Sequence, residues 1–219
     1  MSNGALASYT FLPWLRRGLA TRIERPDAPG GAAPRVSLPV SVRLDTSAGP
    51  RPVTANLALI GPGEVKTIDP RVIIRRYPRA GELDAQTNYF AHVEFDQPDF
   101  PWRHTAARAN TGDRLRPWLV LIVLTEDEIE SREPPTADGQ LAAIHVRSTQ
   151  NLPDLGQAWA WAHVQVSGLG PADQETVLAV LDAEPQRAIA RLLCPRQLLR
   201  VRATAPASSP RSSAAGALR

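Results

Sequence analysis

Proline is the residue that most constrains what this chain can fold into: 21 of the 219 residues are proline. Each proline fixes φ at about −65° and removes a backbone hydrogen-bond donor, so it is poorly tolerated inside helices and central strands. The proline content therefore predicts many short elements joined by turns and extended loops. The chain is nevertheless long enough to bury a core without disulfides or metal ions.

Alternating apolar residues predict a β-hairpin near the start of the chain. In residues 35–45 the apolar side chains fall on every second position, which is typical of a strand. Residues 53–60 repeat the alternation, and the turn-forming residues between the two segments predict that the strands pair. Pro39 falls on the polar face and cannot donate to a ladder, so we expect the first strand at a sheet edge.

Further extended segments predict that the hairpin belongs to a larger, mostly antiparallel β-sheet. The run at residues 118–124 is continuously apolar, which favours a strand covered on both faces and therefore the centre of the sheet. The other predicted strands are residues 65–68, 72–77, 88–95, 141–146 and 159–166.

The N-terminal segment predicts a short amphipathic helix. Leu15, Leu19 and Ile23 recur at helical spacing, and Pro13 suits a first helical turn. Two interpretations remain open: the helix packs on its own domain, or it is an arm that docks on a neighbouring subunit. We assign residues 1–34 to this arm and a Gly/Ala/Pro-rich linker, and residues 35–202 to the folded domain.

The C-terminal part predicts two short helices and a tail. Residues 171–183 have apolar positions at helical spacing, and Asp173 and Glu175 in the first turn favour a helix N-terminus. Residues 185–193 predict a second helix. Residues 203–219 are too poor in apolar side chains to order themselves, so we expect a disordered tail. The predicted fold class is α+β, with a mostly antiparallel sheet, the N-terminal arm and these two helices.

Charge and cysteine content predict a soluble cytoplasmic protein. The formal net charge is +3, and Lys66 is the only lysine, so nearly all positive charge is arginine. Arginine suits bidentate contacts to carboxylates or phosphates, although arginine-rich codon usage produces the same excess. Cys194 stands alone, which is compatible with a reducing compartment. The longest apolar run is shorter than the roughly 20 residues that span a bilayer. We expect neither membrane insertion nor a nucleic-acid partner.

Known catalytic motifs are missing from the sequence, so we expect no enzyme activity, cofactor or metal. There is no Walker loop, GxGxxG, GxSxG or HExxH motif, and the four histidines lack zinc-ligand spacing. The segment from Asp96 to His104 is the one alternative. It favours a rigid structural loop or an interface element, but Asp96, Asp99 and His104 would also suit a small enzyme or a ligand-binding domain.

Two charged runs suggest how copies of the chain could meet. Arg71, Arg75, Arg76 and Arg79 form a basic run, and residues 126–133 form an acidic one. Each is typical of a solvated face. In a homo-oligomeric ring, however, opposite charges can meet across a head-to-tail interface.

Three stretches of sequence resemble a bacterial family of phage-tail-like contractile injection systems. They are the string FLPWLRRG at residues 11–18, the strings IDPRV, NYF and VEFDQPDFPW at residues 68–72, 88–90 and 93–102, and the string LRPWL at residues 115–119. The resemblance covers about residues 5–200. It implies a non-catalytic structural subunit, either an end adaptor or cap, or a baseplate component. The implied partners are sheath, tube, cap or baseplate subunits.

Aromatic residues and arginines dominate binding hot spots, which selects a set of interface candidates. They are Phe11, Trp14, Leu15, Arg71, Arg75, Arg76, Asp99, Phe100, Trp102 and Trp118.

Overall fold

A computed structural model describes residues 8–26, 35–137 and 141–198. The strands in this part of the chain are β1 (Tyr9–Leu12), β2 (Ser37–Thr46), β3 (Gly49–Ala58), β4 (Ile73–Tyr77), β5 (Phe90–Phe95), β6 (Ile129–Glu133), β7 (Ala143–Val146), β8 (Ala162–Ser167) and β9 (Ala188–Gln197). One α-helix, α1, spans Gln174–Ala183. Turns of 3₁₀ helix lie at Gly18–Arg22, Pro62–Glu64, Pro70–Val72, Phe100–Trp102, Glu126–Glu128, Thr149–Asn151, Leu155–Trp161 and Pro185–Arg187. The predicted α+β class with a mostly antiparallel sheet is confirmed.

The central sheet has five strands in the order β1-β8-β9-β5-β4, and every neighbouring pair is antiparallel. The inward residues alternate along β8 and β9, so one face of the sheet is apolar. Helix α1 and the loop after β5 cover this face. The buried residues of this main core include Phe95, Phe100, Trp102, Leu115, Val164, Val166, Val177, Leu181, Ala190 and Leu192.

Helix α1 confirms the first of the two C-terminal helices. The Asp173 carboxylate accepts a hydrogen bond from the backbone N–H of Thr176 at 2.8 Å and so caps the helix. This backbone hydrogen bond also lowers the pKa of Asp173. Val177 and Leu181, one turn apart, face the core.

The second predicted helix is wrong beyond Arg187. Only Pro185–Arg187 is helical, as a single 3₁₀ turn, and Ala188–Gln197 forms β9. Along β9 every second residue from Ala188 to Cys194 is buried, which is the period of a strand. A short apolar segment can satisfy the helical and the strand period together, so the sequence alone did not decide between them.

The predicted N-terminal amphipathic helix is also wrong. Residues 9–12 form β1, which pairs with β8 and so begins inside the central sheet, not in a separate arm. Leu12 and Leu15 are buried in the main core. Gly18 adopts φ +58°, a left-handed conformation that interrupts a helix, and only Gly18–Arg22 is helical beyond it. The proposed linker at residues 27–34 and the tail at residues 203–219 lie outside the described residues.

The apolar run at residues 118–124 is not the predicted central strand. It is an extended segment without strand pairing that lies over the main core, where Trp118, Leu119 and Leu121 are partly buried. Its backbone forms isolated hydrogen bonds instead of a ladder. Trp118 N–H donates to Pro101 O at 2.9 Å, and Val123 O accepts from Arg196 at 3.1 Å. The run is therefore partly buried, as its apolar character indicated, but the prediction that it pairs as a strand is wrong. Residues 65–68 likewise form no strand.

Two hairpins stand outside the central sheet, so the prediction that the first of them belongs to the larger sheet is wrong. Strands β2 and β3 pair over ten residues each, from Ser37↔Ala58 to Thr46↔Gly49, which confirms the predicted hairpin. Its base is held by a second small core that contains Leu38. Strands β6 and β7 form the other hairpin. It is tied to β9 by Glu128, whose carboxylate accepts two hydrogen bonds from Arg196 at 2.5 and 2.8 Å. Arg196 lowers the pKa of Glu128 to about 2.

Membrane-spanning helices are not found in the described part of the chain: none of its helices has the length and apolar character to cross a bilayer.

The position of Leu15 in the core gives a test of the revised N-terminal segment. Leu15 is 0% exposed, whereas Phe11, four residues earlier on β1, is 60% exposed. We expect Leu15→Ala to lower the free energy of unfolding by about 2–5 kcal/mol, because it leaves a cavity in a packed core. Phe11→Ala should cost less than about 1 kcal/mol. Urea denaturation measures both. If both variants lowered the free energy of unfolding by the same small amount, the segment would instead dock outside its own domain.

Candidate interaction surfaces

The aromatic residues of the Asp96–His104 loop belong to the core. The three residues of the 3₁₀ turn Phe100–Trp102 are buried. Trp102 Nε1 donates to Leu115 O at 3.1 Å, and Trp118 Nε1 donates to Phe100 O at 2.7 Å. The Phe100 ring lies 4.9 Å from that of Phe95. These contacts favour the structural interpretation of the loop. Because Phe100 and Trp102 are buried in the core of the chain itself, they do not serve as interface residues.

The polar residues of the same loop are engaged within the chain. Asp99 forms a two-pronged ion pair with Arg103, with N–O distances of 2.7 and 3.1 Å. The ring of His104 lies edge-on to Trp118, and burial lowers the pKa of His104. Within the described ranges, no three His, Cys, Asp or Glu side chains are grouped so that they could hold a metal ion. The loop is therefore a structural part of the fold, and its polar side chains do not come together as an acid–base set.

Each of the two charged runs is partly paired inside the chain. Arg71 binds Asp69 at 2.6 Å, and Arg75 reaches Glu94 at 3.5 Å. In the acidic run, Glu126 pairs with Arg132 at 2.6 Å. Glu128 and Glu133 are paired as well, with Arg196 and His145. Because these partners engage part of each run, the runs favour a ring contact less than the sequence indicates.

The outer face of the central sheet does bring several candidates together. By strand register, Arg75, Glu94, Arg191 and His163 form one row across β4, β5, β9 and β8. Glu94 is only 2% exposed, and Arg191 donates to its carboxylate at 2.7 Å. Phe11 lies at the edge of this face and packs edge-on against the His163 ring at 5.7 Å.

This outer face has the composition of a protein contact surface. Tyr9 and Phe90 are exposed on it together with Phe11. Tyr77 stacks on His92 at 5.7 Å. Burial lowers the pKa of His163, which favours its neutral form. Exposed aromatics around an arginine–carboxylate row are enriched in interfaces, so Phe11 and Arg75 keep their place as interface candidates.

The hairpin β2–β3 presents a surface that the sequence interpretation missed. All residues from Ser41 to Ala58 except Gly49 are exposed. One face is aliphatic apart from Arg51 opposite Leu44, and on it Val42, Leu44, Val53 and Leu57 are between 46% and 53% exposed. The opposite face carries polar residues and prolines, with Ser41 and Thr54 joined by a 2.7 Å hydrogen bond. On the aliphatic face, the base at Leu38 packs on a core of the chain itself.

The prolines of the hairpin could have signalled its isolation. In the register, Pro39 lies opposite Asn56, Pro50 opposite Asp45, and Pro52 opposite Arg43. Counted from the two-residue turn, all three are non-hydrogen-bonded pairs of the antiparallel ladder. The missing N–H groups therefore point away from the partner strand. Both outer edges lose donors, which disfavours the addition of a further strand there.

Comparison with known proteins gives no match: no protein-family model, no curated protein and no solved structure matches this chain. Its function must therefore be argued from its own surfaces.

The ion pair of the loop gives a test between its two interpretations. We expect Asp99→Asn to lower the free energy of unfolding by about 1 kcal/mol, a value reduced because Arg103 is partly solvated. Asp69→Asn, which breaks an exposed pair, is the control and should change stability little. The same purified proteins are assayed for bound metal. Stoichiometric metal in the wild type that Asp99→Asn loses would favour the ligand-binding alternative.

Proposed function

We propose that this protein is a non-catalytic structural subunit that assembles with other protein subunits through the hairpin β2–β3. The observation that carries the proposal is the exposed aliphatic face of this hairpin, which continues outward from the small core at its base. A contiguous apolar patch on an otherwise polar surface is typical of a protein contact site.

The energetics of the hairpin favour a partner. A two-stranded hairpin in water is at best marginally stable by itself. Complete burial of a Val or Leu side chain is worth about 1.5–3 kcal/mol. Val42, Leu44, Val53 and Leu57 are half exposed, so a partner that covers them contributes on the order of 3–6 kcal/mol before the costs of association. That gain also favours the folded hairpin.

The chemistry of the edges defines how the partner approaches. Because Pro39, Pro50 and Pro52 remove outward donors, a neighbouring strand cannot extend the hairpin over its full length. The partner instead packs on the aliphatic face, as two sheets pack face to face. The outer face of the central sheet, with Phe11 and Arg75, is a second contact area of the same subunit.

The particle that we propose is a phage-tail-like contractile injection system, with this chain as an end adaptor or cap, or as a baseplate component. The resemblance of the sequence strings supports this assignment. Two of those strings are neighbours in the fold, since Trp102 bonds to Leu115 and Trp118 to Phe100. These two strings thus contribute to the core, and the assembly role is carried by the hairpin. We propose a cytoplasmic homo-oligomeric ring without a nucleic-acid partner.

The alternative, a small enzyme or ligand-binding domain centred on residues 96–104, has weaker support. Its central carboxylate, Asp99, is already held by Arg103.

The proposal predicts that charges on the aliphatic face release the subunit. Val42 and Val53 are directly opposite in the register, so Val42→Lys/Val53→Glu places a complementary pair across the strands and leaves net charge unchanged. We expect wild-type chain from a native lysate to sediment with large particles in a sucrose gradient. The variant should shift to the fractions of the free chain of 23.8 kDa.

The matched control is Ser41→Lys/Thr54→Glu, the same charge pair on the opposite face of the same strands. It should sediment like the wild type. The proposal fails if wild-type chain is recovered only as the free chain, or if both variants remain in the particle fractions.

A further inference from the structure

A surface cleft of about 750 Å³ lies between the loop at residues 108–116 and the 3₁₀ helix Leu155–Trp161. Its volume is in the range of roughly 300–1,000 Å³ that is typical of ligand sites. Arg108, Arg114 and Arg116 line it together with Trp159. No acidic residue is found among the described residues of the lining. Arg108 and Arg114 therefore give the cleft a positive lining on a chain whose net charge is only +3.

The loop that carries these arginines is held in one conformation. Asn110 Oδ1 accepts from the backbone N–H groups of Gly112 and Arg114 at 2.9 and 3.1 Å, which closes a tight turn. Asn110 N–H in turn donates to Arg114 O at 3.0 Å. At the other end, Arg108 N–H donates to Arg25 O. The arginine backbones are thus positioned before any ligand arrives, which lowers the cost of binding.

Arg114 is further oriented by an aromatic ring. Its guanidinium carbon lies 3.9 Å from the centroid of Trp159, so the cation stacks on the indole face. A stacked guanidinium keeps the N–H groups on its rim available, and these suit the two oxygens of a carboxylate. Arg108 is exposed, and it has no salt bridge to any acid in the described part of the chain.

Two acids close to the cleft in sequence, Asp113 and Asp154, are occupied elsewhere. Asp113 accepts a hydrogen bond from Trp14 Nε1 at 2.8 Å, which assigns the interface candidate Trp14 to the support of this loop. Asp154 accepts from Gly156 N–H at 2.8 Å and caps the 3₁₀ helix. Neither carboxylate lines the cleft, and neither forms a salt bridge with Arg108 or Arg114.

We propose that this cleft binds an acidic peptide segment of another protein, with neighbouring Asp or Glu carboxylates on Arg108 and Arg114. Charge complementarity defines the ligand class. Asn110, Thr111 and Gln157 supply polar groups for the peptide backbone. This site is separate from the hairpin, and the proposal does not depend on the assembly role.

A peptide fits this surface better than a nucleic acid. Duplex recognition requires basic residues that extend along one face. Several arginines outside the cleft are instead paired with carboxylates, including Arg71, Arg132 and Arg196. Arg108 and Arg114 instead lie together in a cleft that accommodates a short segment.

The test is fluorescence anisotropy of fluorescein-labelled hexaglutamate with the purified full chain at low ionic strength. We expect Arg108→Gln/Arg114→Gln to weaken binding by about tenfold or more, because two charge-assisted contacts are lost. The matched control is Arg76→Gln/Arg79→Gln, which removes the same charge from exposed residues of another surface. It should weaken binding by less than about twofold. Thermal melts check that all three proteins are folded.

Three results would overturn the proposal. One is the lack of measurable hexaglutamate binding by the wild type, and another is an equal loss in both variants, which would indicate non-specific charge attraction. The third is tighter, arginine-dependent binding of a labelled DNA duplex, which would replace the peptide with a nucleic acid. The hairpin variant Val42→Lys/Val53→Glu should bind hexaglutamate like the wild type, so failure here is distinguishable from failure of the assembly proposal.

Discussion

The inward face of β8 and β9 is the surface on which the rest of the central unit packs. Val164 and Val166 on β8 lie beside Ala188 and Ala190 on β9, and all four are at most 2% exposed. Small and branched side chains at the sheet centre leave room for the large ones around them, which a close-packed core requires. Helix α1 and the proline-rich loop with Trp102 fill that room. Covering one face in this way leaves the opposite face and the hairpin β2–β3 for contacts with other molecules.

Sequence reasoning succeeded where the signals were local. The hairpin β2–β3 has partners that are adjacent in the chain, and α1 begins at a recognisable cap, Asp173. It failed where the partner was distant: β1 resembles a helix start until Thr10 is seen beside Val166 on β8. The run at residues 118–124 is apolar because it covers the core, although it joins no sheet. Burial patterns thus predict which residues are inside, and tertiary contacts decide their secondary structure.

The candidate surfaces were predictable only in part, for a related reason. An aromatic residue in a proline-rich loop serves equally well as a core residue or as a binding residue. The structure places Leu15, Phe100 and Trp102 in the core and keeps Phe11 exposed on the outer face. The aliphatic side of the hairpin is exposed, although its apolar residues alternate as they do in a half-buried strand. The arginine cleft was missed because its residues come from separate segments, and only folding brings Arg114 onto Trp159.

The central claim is that the hairpin is a marginal element that a neighbouring subunit covers and stabilises. Hydrogen–deuterium exchange, read peptide by peptide in the free chain and in the particle fractions, tests it most directly. The account predicts rapid exchange of β2 and β3 in the free chain, slow exchange of β8 and β9, and strong protection of the hairpin after assembly. A hairpin that is as protected as the central strands in the free chain, or that gains no protection in the particle, would contradict it.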